Sequence, residues 1–186
     1  MNRTTKKSGS ASEGFSLAEL TVAMFVLIVG VLGGMTMVII GMMRNNTNRV
    51  DTTATNVAQA VIEQISNVPA NTNKVVAVAD CVQTDPTTST LKINTAPGGA
   101  SLKTNGDIDF LADNQATLNG NNYQLTYTVC GNNGLQTTYD VHWNVQTVGA
   151  GRWSKLVTVS ARQPFVYGQT GIAYIRPVTL RTIVSM

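Results

Sequence analysis

Hydrophobic residues form one long run near the start of the chain and shorter periodic patterns after it. The run extends from Leu20 to Met43 and contains no charged residue. As a helix rising 1.5 Å per residue, it is long enough to cross a hydrocarbon core of about 30 Å. Gly30, Gly33, Gly34 and Gly41 interrupt it. Either they make the helix locally weak, so that it can partly unwind or pack closely against other helices, or they are glycines that a membrane helix ordinarily tolerates; both interpretations stay open. The pattern predicts a transmembrane helical half over residues 15–43.

After this run the apolar residues continue at spacings of three and four. The positions that follow this spacing are Val50, Ala54, Val57, Val61, Ile65 and Val68. Such spacing places them on one face of a helix, and Pro69 ends the pattern. We predict that residues 44–68 form the amphipathic half of the same helix. The stripe requires a partner, which is either a domain formed by the rest of the chain or, alternatively, a coiled-coil seam.

Residues 69–186 show the period of two that is typical of β-strands, separated by turn-forming residues. Predicted strands cover Lys74–Asp80, Tyr123–Val129, Tyr139–Val145, Lys155–Arg162 and Ile172–Val184, with Pro177 marking an edge, a bulge or a break in the last one. An antiparallel sheet packed on the helical stripe would cover both apolar faces. The predicted fold is therefore α+β, with a long N-terminal helix packed on an antiparallel β-sheet.

Charge distribution predicts the orientation of the chain. Residues 1–14 are polar, carry Arg3, Lys6 and Lys7, and lack the apolar segment of an ordinary secretory signal. The positive-inside rule places this head in the cytoplasm and everything past Met43 outside, with residues 69–186 as a β-rich extracytoplasmic domain. With Glu13, the head accounts for +2 of the formal net charge of +3. The other Lys and Arg residues are scattered, which argues against nucleic acid as a partner.

Glu19 lies at the start of the hydrophobic run. A carboxylate in a bilayer centre costs about 2.5–3.5 kcal/mol, so we expect it to have a cationic partner. Cleavage after Gly14 would create a free amine on Phe15, one helical turn away from Glu19. The unpaired N–H groups of a first helical turn also favour an anion there. The amine and carboxylate can pair within one chain or between neighbouring chains.

The segment Gly14-Phe15-Ser16-Leu17-Ala18-Glu19 resembles the class III signal peptides of type IV pilins and type II secretion pseudopilins. Segments 29–33 and 56–63 are most similar to PilV-type minor pilins. The resemblance implies a pilin-like fold, cleavage between Gly14 and Phe15, N-methylation of Phe15, and pairing of Glu19 with a neighbour's terminal amine during assembly. Ala18 replaces a larger aliphatic residue, and Thr36 stands where many major pilins have Pro, which favours a minor subunit.

The resemblance predicts a structural minor pilin without cofactor, assembled into a type IV pilus or at its tip. Its implied partners are other pilin subunits and the prepilin peptidase/methyltransferase. Before assembly the protein would lie in the bacterial inner membrane, and after assembly in the pilus, in the periplasm or at the cell surface. The alternatives are a minor pseudopilin of a type II secretion system and a pilus-borne adhesin or DNA-uptake subunit that binds through residues 97–122. A signal-anchored enzyme or receptor is the remaining class.

The two cysteines, Cys81 and Cys130, both follow the hydrophobic run. In an oxidising compartment they allow a single disulfide, and two buried free thiols are the alternative. Closing a loop of this length would stabilise the fold by about 4 kcal/mol in the chain-entropy model. We predict the disulfide.

No catalytic or metal site is predicted. His142, the only histidine, occupies the polar side of an alternating strand and is expected to be a surface imidazole. Ser160 has no histidine at a familiar motif spacing. Asp107, Asp109 and Asp113 lack the spacing of an EF-hand, so we expect a loop or short strand there rather than a calcium site. No convergent acid/base set for an enzyme is visible.

Overall fold

The computed structural model describes residues 16–112, 115–131, 134–149, 154–164 and 176–185. Its elements are α1 (Leu17–Ser66), β1 (Val75–Ala77), β2 (Lys92–Asn94), β3 (Gly98–Gly99), α2 (Gln115–Gly120), β4 (Gln124–Cys130), β5 (Gln136–Val148), β6 (Ser154–Arg162) and β7 (Val178–Ser185). A long apolar N-terminal helix and an antiparallel sheet are both present. The predicted α+β, pilin-like arrangement is confirmed.

The chain divides into two compact units, Met1–Asn45 and Asn46–Met186. In the first unit the described residues are almost all helical, and every one of them is exposed. This part of α1 is long and apolar enough to cross a membrane. It could therefore serve as a membrane anchor.

In the second unit, α1 contributes one apolar face to the core. Ala54, Val57, Ala58, Val61 and Ile65 are the buried residues of the helix. They follow the spacing expected from the sequence, because residues three and four apart lie on one side of a helix. The helix ends at Ser66, just before Pro69.

In the described part of the chain, the main sheet contains five antiparallel strands. Its order is β3-β5-β6-β7, and β4 also pairs with β5. Because β4 pairs with residues 136–142 of β5 and β3 pairs with residues 144–145, these two strands share one edge of β5. Strands β1 and β2 form a separate two-stranded sheet.

One face of the main sheet is apolar, and we call it the helix face. Tyr139, Val141, Trp143 and Val145 of β5 alternate along it with side chains of the opposite face. They form a single buried cluster with the apolar residues of β6 and with the stripe of α1. The helix and the sheet therefore cover each other as predicted.

The opposite face is polar, and its central residues Asp140, His142, Thr158 and Ser160 are buried as well. Residues 100–111, here called the covering segment, lie across it. The Asn144 amide donates to the carbonyl of Ala100 over 2.8 Å. On the edge strand β7, the Arg181 guanidinium donates to the carbonyl of Asn105 over 3.0 Å. The covering segment thus reaches from β5 to β7.

A close backbone approach places the start of the covering segment. Gly99 has a φ of +117°, and a Cβ there would overlap the carbonyl oxygen of Trp143. That same oxygen accepts a hydrogen bond from the Ala100 N–H over 2.9 Å. A glycine is required because only its backbone adopts this conformation without a clash.

The predicted strands agree with the structure in the centre of the sheet and differ at its periphery. Strands 123–129, 139–145 and 155–162 are confirmed as β4, β5 and β6. The strand expected over residues 74–80 is reduced to β1. The last strand begins at Val178, directly after Pro177, and residues 171–175 lie outside the described part. Strands β2 and β3 and helix α2 were not predicted.

Candidate functional site

Ser16 and Glu19 form a reciprocal pair of hydrogen bonds at the start of α1. The Ser16 N–H donates to Glu19 Oε2 over 3.0 Å, and the Glu19 N–H donates to Ser16 Oγ over 3.2 Å. This geometry is a capping box, with Ser16 as the N-cap and Glu19 three residues later. It satisfies two N–H groups that a helix start otherwise leaves unpaired.

The capping box gives Glu19 a role within its own chain. Its carboxylate lies in the first turn, where the helix dipole also favours a negative charge. The capping role of Ser16 was not predicted from the sequence, although the pattern Ser-x-x-Glu before an apolar run indicates such a cap. Gly14 and Phe15 lie outside the described residues. Cleavage, N-methylation and pairing of Glu19 with a neighbour therefore stay predictions.

The predicted disulfide between Cys81 and Cys130 is present, with Cα atoms 5.9 Å apart. Beside it, Asp80 accepts hydrogen bonds from the N–H groups of Val82 and Gln83 and from that of Thr128 on β4. Burial opposes ionisation of Asp80, but these N–H groups hold its pKa below the usual value. The disulfide and the Asp80 carboxylate together attach the loop at residues 80–83 to the end of β4.

His142 is not a surface residue, and that prediction was wrong. Its side chain has an exposed fraction of 0%. The ring lies 4.4 Å, between centroids, from the ring of Phe110 in the covering segment. Its Nε2 is 3.1 Å from Asp140 Oδ1. The alternation placed His142 on the correct face of β5, but the covering segment buries that face.

Asp140 is the centre of the polar network around His142. Its other oxygen, Oδ2, accepts from Nη2 of Arg162 over 3.1 Å, and the Arg162 guanidinium lies 4.1 Å above the Phe110 ring. The Gln124 amide donates to Oδ1 over 3.3 Å. Burial alone would raise the pKa of Asp140, but the hydrogen bond and charge of His142 and the charge of Arg162 lower it.

Asp140, His142 and Ser160 are residue types of a hydrolytic triad and share this face of the sheet. The Ser160 hydroxyl instead contacts the carbonyl of Val178 at 3.2 Å and the hydroxyl of Thr179 at 3.0 Å. A triad requires the base to contact the nucleophile and a substrate to reach both. His142 and Ser160 each have an exposed fraction of 0%. The geometry is that of a structural polar network.

Lys155, one of the scattered Lys and Arg residues of the sequence, is a buried cation with an exposed fraction of 3%. Its Nζ donates to the carbonyls of Thr72 and Thr95 and to Oδ1 of Asn73, over 2.7, 2.9 and 3.1 Å. Burial lowers the pKa of Lys155. Three oxygen acceptors match the three donors of an ammonium group.

A cleft of about 240 Å³ lies in the second unit between α1 and the β4–β5 hairpin. We call it the Arg49 cleft. Burial raises the pKa of Tyr139 on its wall, against the lowering effects of a hydrogen bond with Thr53 and of the Arg49 charge. The lining residues are Asn46, Arg49, Val50, Thr53, Val129, Gly131, Leu135, Thr137, Tyr139 and Gln163.

The aspartates of the covering segment are engaged in local contacts. Asp107 pairs with Arg181 at 3.1 Å, and Asp109 accepts from the N–H of Leu111 over 3.1 Å. The expected loop is confirmed up to residue 112, while Asp113 lies outside the described residues. Within the described ranges, no group of three or more His, Cys, Asp or Glu residues is placed to hold a metal ion.

The fold defines the class of this protein as α+β, with a long apolar N-terminal helix and an antiparallel sheet in a pilin-like arrangement. Comparison with family models, curated proteins and solved structures found no match. The function therefore has to be argued from the residues and contacts of this chain.

Proposed function

We propose that this protein is a minor pilin, a structural and non-catalytic subunit of a type IV pilus. It would be made as a membrane-anchored precursor, cleaved after Gly14, N-methylated at Phe15, and assembled into the filament or at its tip. Support comes from the signature over residues 14–19 and from the α+β fold with its long N-terminal helix.

The observation that carries this proposal is the exposed apolar surface of the first unit. Side chains on all sides of α1 are exposed there, including Phe25 at 70% and Met37 at 77%. A helix that is hydrophobic all round requires an apolar environment, which water does not supply. A membrane before assembly and the helices of neighbouring subunits afterwards would both supply it.

Glu19 would change partners during assembly. In the described chain its carboxylate accepts from the Ser16 N–H. Cleavage would create a charged amine on Phe15, and such an amine on a neighbouring subunit offers a stronger, charge-assisted hydrogen bond. The contact with the neighbour would then replace a bond of the cap rather than add to it.

Two substitutions separate this role from helix capping. Glu19→Ala removes both the cap and the charge, whereas Glu19→Gln keeps a side chain that completes a capping box but removes the charge. Each variant is expressed together with the wild type, and the ratio of the two proteins is measured by mass spectrometry in sheared filaments and in membranes.

We expect both variants to be inserted and cleaved normally but to be about tenfold or more depleted from filaments, the loss expected for one charged hydrogen bond. Normal incorporation of Glu19→Gln beside depleted Glu19→Ala would show that only capping matters. If both variants show the same ratio to wild type in filaments as in membranes, Glu19 has no role in assembly.

Processing is tested on the same samples. The mature protein should begin at an N-methylated Phe15, and Gly14→Val should keep the leader. A different mature N-terminus would refute the assignment. Recovery of the protein with a type II secretion complex instead of sheared pili would assign it to that machine.

A further inference from the structure

The proposed assembly through α1 does not use the Arg49 cleft. We propose that this cleft binds the phosphodiester headgroup of an anionic phospholipid in the membrane that anchors the precursor. The inference rests on the membrane anchoring in the proposed function and adds a specific lipid contact of the second unit.

The polar lining of the cleft is suited to an anion. It combines the guanidinium of Arg49 with the side-chain amides of Asn46 and Gln163, and the described lining residues include neither Asp nor Glu. Among the described residues, the ion pairs involve Arg162, Arg181 and His142, and none involves Arg49. An arginine fork binds phosphate oxygens in a bidentate manner, and none of the described lining residues supplies a carboxylate that would compete for it.

The rest of the lining favours a lipid over free phosphate. Val50, Val129 and Leu135 contribute apolar surface beside the polar groups. Inorganic phosphate would leave this surface unused, whereas a glycerophospholipid has glycerol and acyl carbons next to its phosphate. The volume of about 240 Å³ is below the roughly 300–1,000 Å³ of sites that enclose whole drug-sized ligands. It therefore fits a headgroup with the adjoining carbons.

The sequence position of these residues agrees with headgroup depth. Asn46 follows Met43, the last residue of the apolar run, by three residues, and Arg49 follows by six. At a rise of 1.5 Å per residue, these two positions lie about 4.5 Å and about 9 Å beyond Met43 along the helix axis. The interfacial layers add about 5–8 Å on each side of the hydrocarbon core. Asn46 therefore lies at headgroup depth, and the side chain of Arg49 is long enough for its guanidinium to reach the same layer, where anionic lipids attract basic side chains.

The test uses the full-length protein in zwitterionic micelles, titrated with dihexanoyl-phosphatidylglycerol. Binding is followed by ¹⁵N NMR shifts of the Thr53 and Thr137 amides, which line the cleft. Dihexanoyl-phosphatidylcholine and inorganic phosphate are titrated in parallel. Arg49→Gln is compared with Arg44→Gln, which makes the same change of charge next to the apolar run but outside the cleft lining.

We expect saturable shifts with phosphatidylglycerol. Arg49→Gln should weaken the affinity about tenfold or more, since one charged hydrogen bond contributes about 1.5–3 kcal/mol. Arg44→Gln should weaken the affinity by less than about threefold, because Arg44 lies outside the cleft lining. Arg49→Lys, which keeps the charge but not the fork, should bind with intermediate affinity. It also serves as the test variant should Arg49→Gln fail to fold.

Several outcomes would overturn the proposal. Equal losses for Arg49→Gln and Arg44→Gln would indicate diffuse attraction, and equal binding of phosphatidylcholine would make the anionic headgroup irrelevant. Equal binding of inorganic phosphate would show that the cleft binds a free anion rather than a lipid. Absence of saturable shifts would show that the cleft is not a binding site. Filament incorporation is measured separately, so an incorporated protein that binds no lipid refutes only this inference. A lipid-binding protein that is absent from pili refutes only the pilin assignment.

Discussion

On strand β5, Val141 and Trp143 face α1, while their chain neighbours Asp140 and His142 face the covering segment, and all four are buried. The helix face is stabilised by removal of apolar surface from water and by close packing. The opposite face depends on pairing, because buried charges without partners cost several kcal/mol. In the described residues, the buried side-chain polar atoms without a hydrogen-bond partner, Gln124 Oε1, His142 Nδ1 and Asn144 Oδ1, all belong to this second face.

The comparison shows that burial has different consequences on the two faces. On the helix face, a substitution should cost free energy in proportion to the volume it removes. On the polar face, the cost should depend on which partner loses its counterpart and on pH. Four experiments test this difference, from the largest expected effect to the smallest.

Removal of the helical stripe should abolish folding of the second unit. A fragment beginning at Asn46 keeps Ala54, Val57 and Ile65, which are at most 3% exposed, whereas a fragment beginning at Pro69 lacks them. We expect the first to unfold cooperatively on heating and the second to show no cooperative transition by circular dichroism. Equal thermal stability of both fragments would show that the stripe does not hold the sheet.

Trp143→Ala should give the largest loss from a single substitution, because it opens a cavity at a side chain with an exposed fraction of 0%. It also leaves the Asn94 carbonyl without the indole N–H that donates to it over 2.9 Å. We expect the free energy of unfolding to fall by about 3–5 kcal/mol, measured by urea unfolding of the full-length protein in detergent. The loss should be the same at pH 7 and pH 4.

Asp140→Asn tests the polar face through its dependence on pH. We expect a loss of about 2–4 kcal/mol at pH 7, because Arg162 and His142 lose their charged partner. The folded-state pKa of Asp140 is lowered, so its contribution is complete above the unfolded value of about 3.9 and disappears as pH falls through the folded value. The difference from wild type should therefore shrink below about pH 4. A difference that does not vary with pH would contradict the assigned network.

Phe110→Leu should have the smallest effect, because the substitution keeps an apolar side chain. It removes the ring beneath Arg162 and beside His142, and we expect a loss of about 1 kcal/mol. Leu111→Ala is the matched control: Leu111 is the next residue and 91% exposed, so its loss should stay within about 0.5 kcal/mol. Equal effects of both changes would mean that the covering segment does not cover His142.

The central strands and the helix could be predicted because their signals are local. The alternation of Tyr139, Val141 and Trp143, and the stripe of α1, each reflect a face that is buried against one partner. The strands that were missed, β2 and β3, have three and two residues. These segments are strands because they pair with neighbouring strands, and their own composition does not favour a strand.

The environment of His142 could not be read from its own strand. Alternation assigns a residue to a face of a sheet, but it does not show what lies over that face. The segment that covers it is rich in turn residues and was expected to be a loop. Within it, Ile108 and Phe110 are apolar residues among aspartates and are buried. They were the available signal that this loop packs on the sheet.

Lys155 links the folding of segments that are far apart in the chain. Its ammonium group reaches acceptors 83, 82 and 60 residues away, on Thr72, Asn73 and Thr95. The group loses water only when all of these segments are in place, and separation of any one would leave a buried cation with fewer acceptors. Such distant contacts form late and slow the folding reaction. They also couple local opening to global unfolding, so the backbone amides around Thr72 and Thr95 should exchange hydrogen no faster than those at the centre of β6.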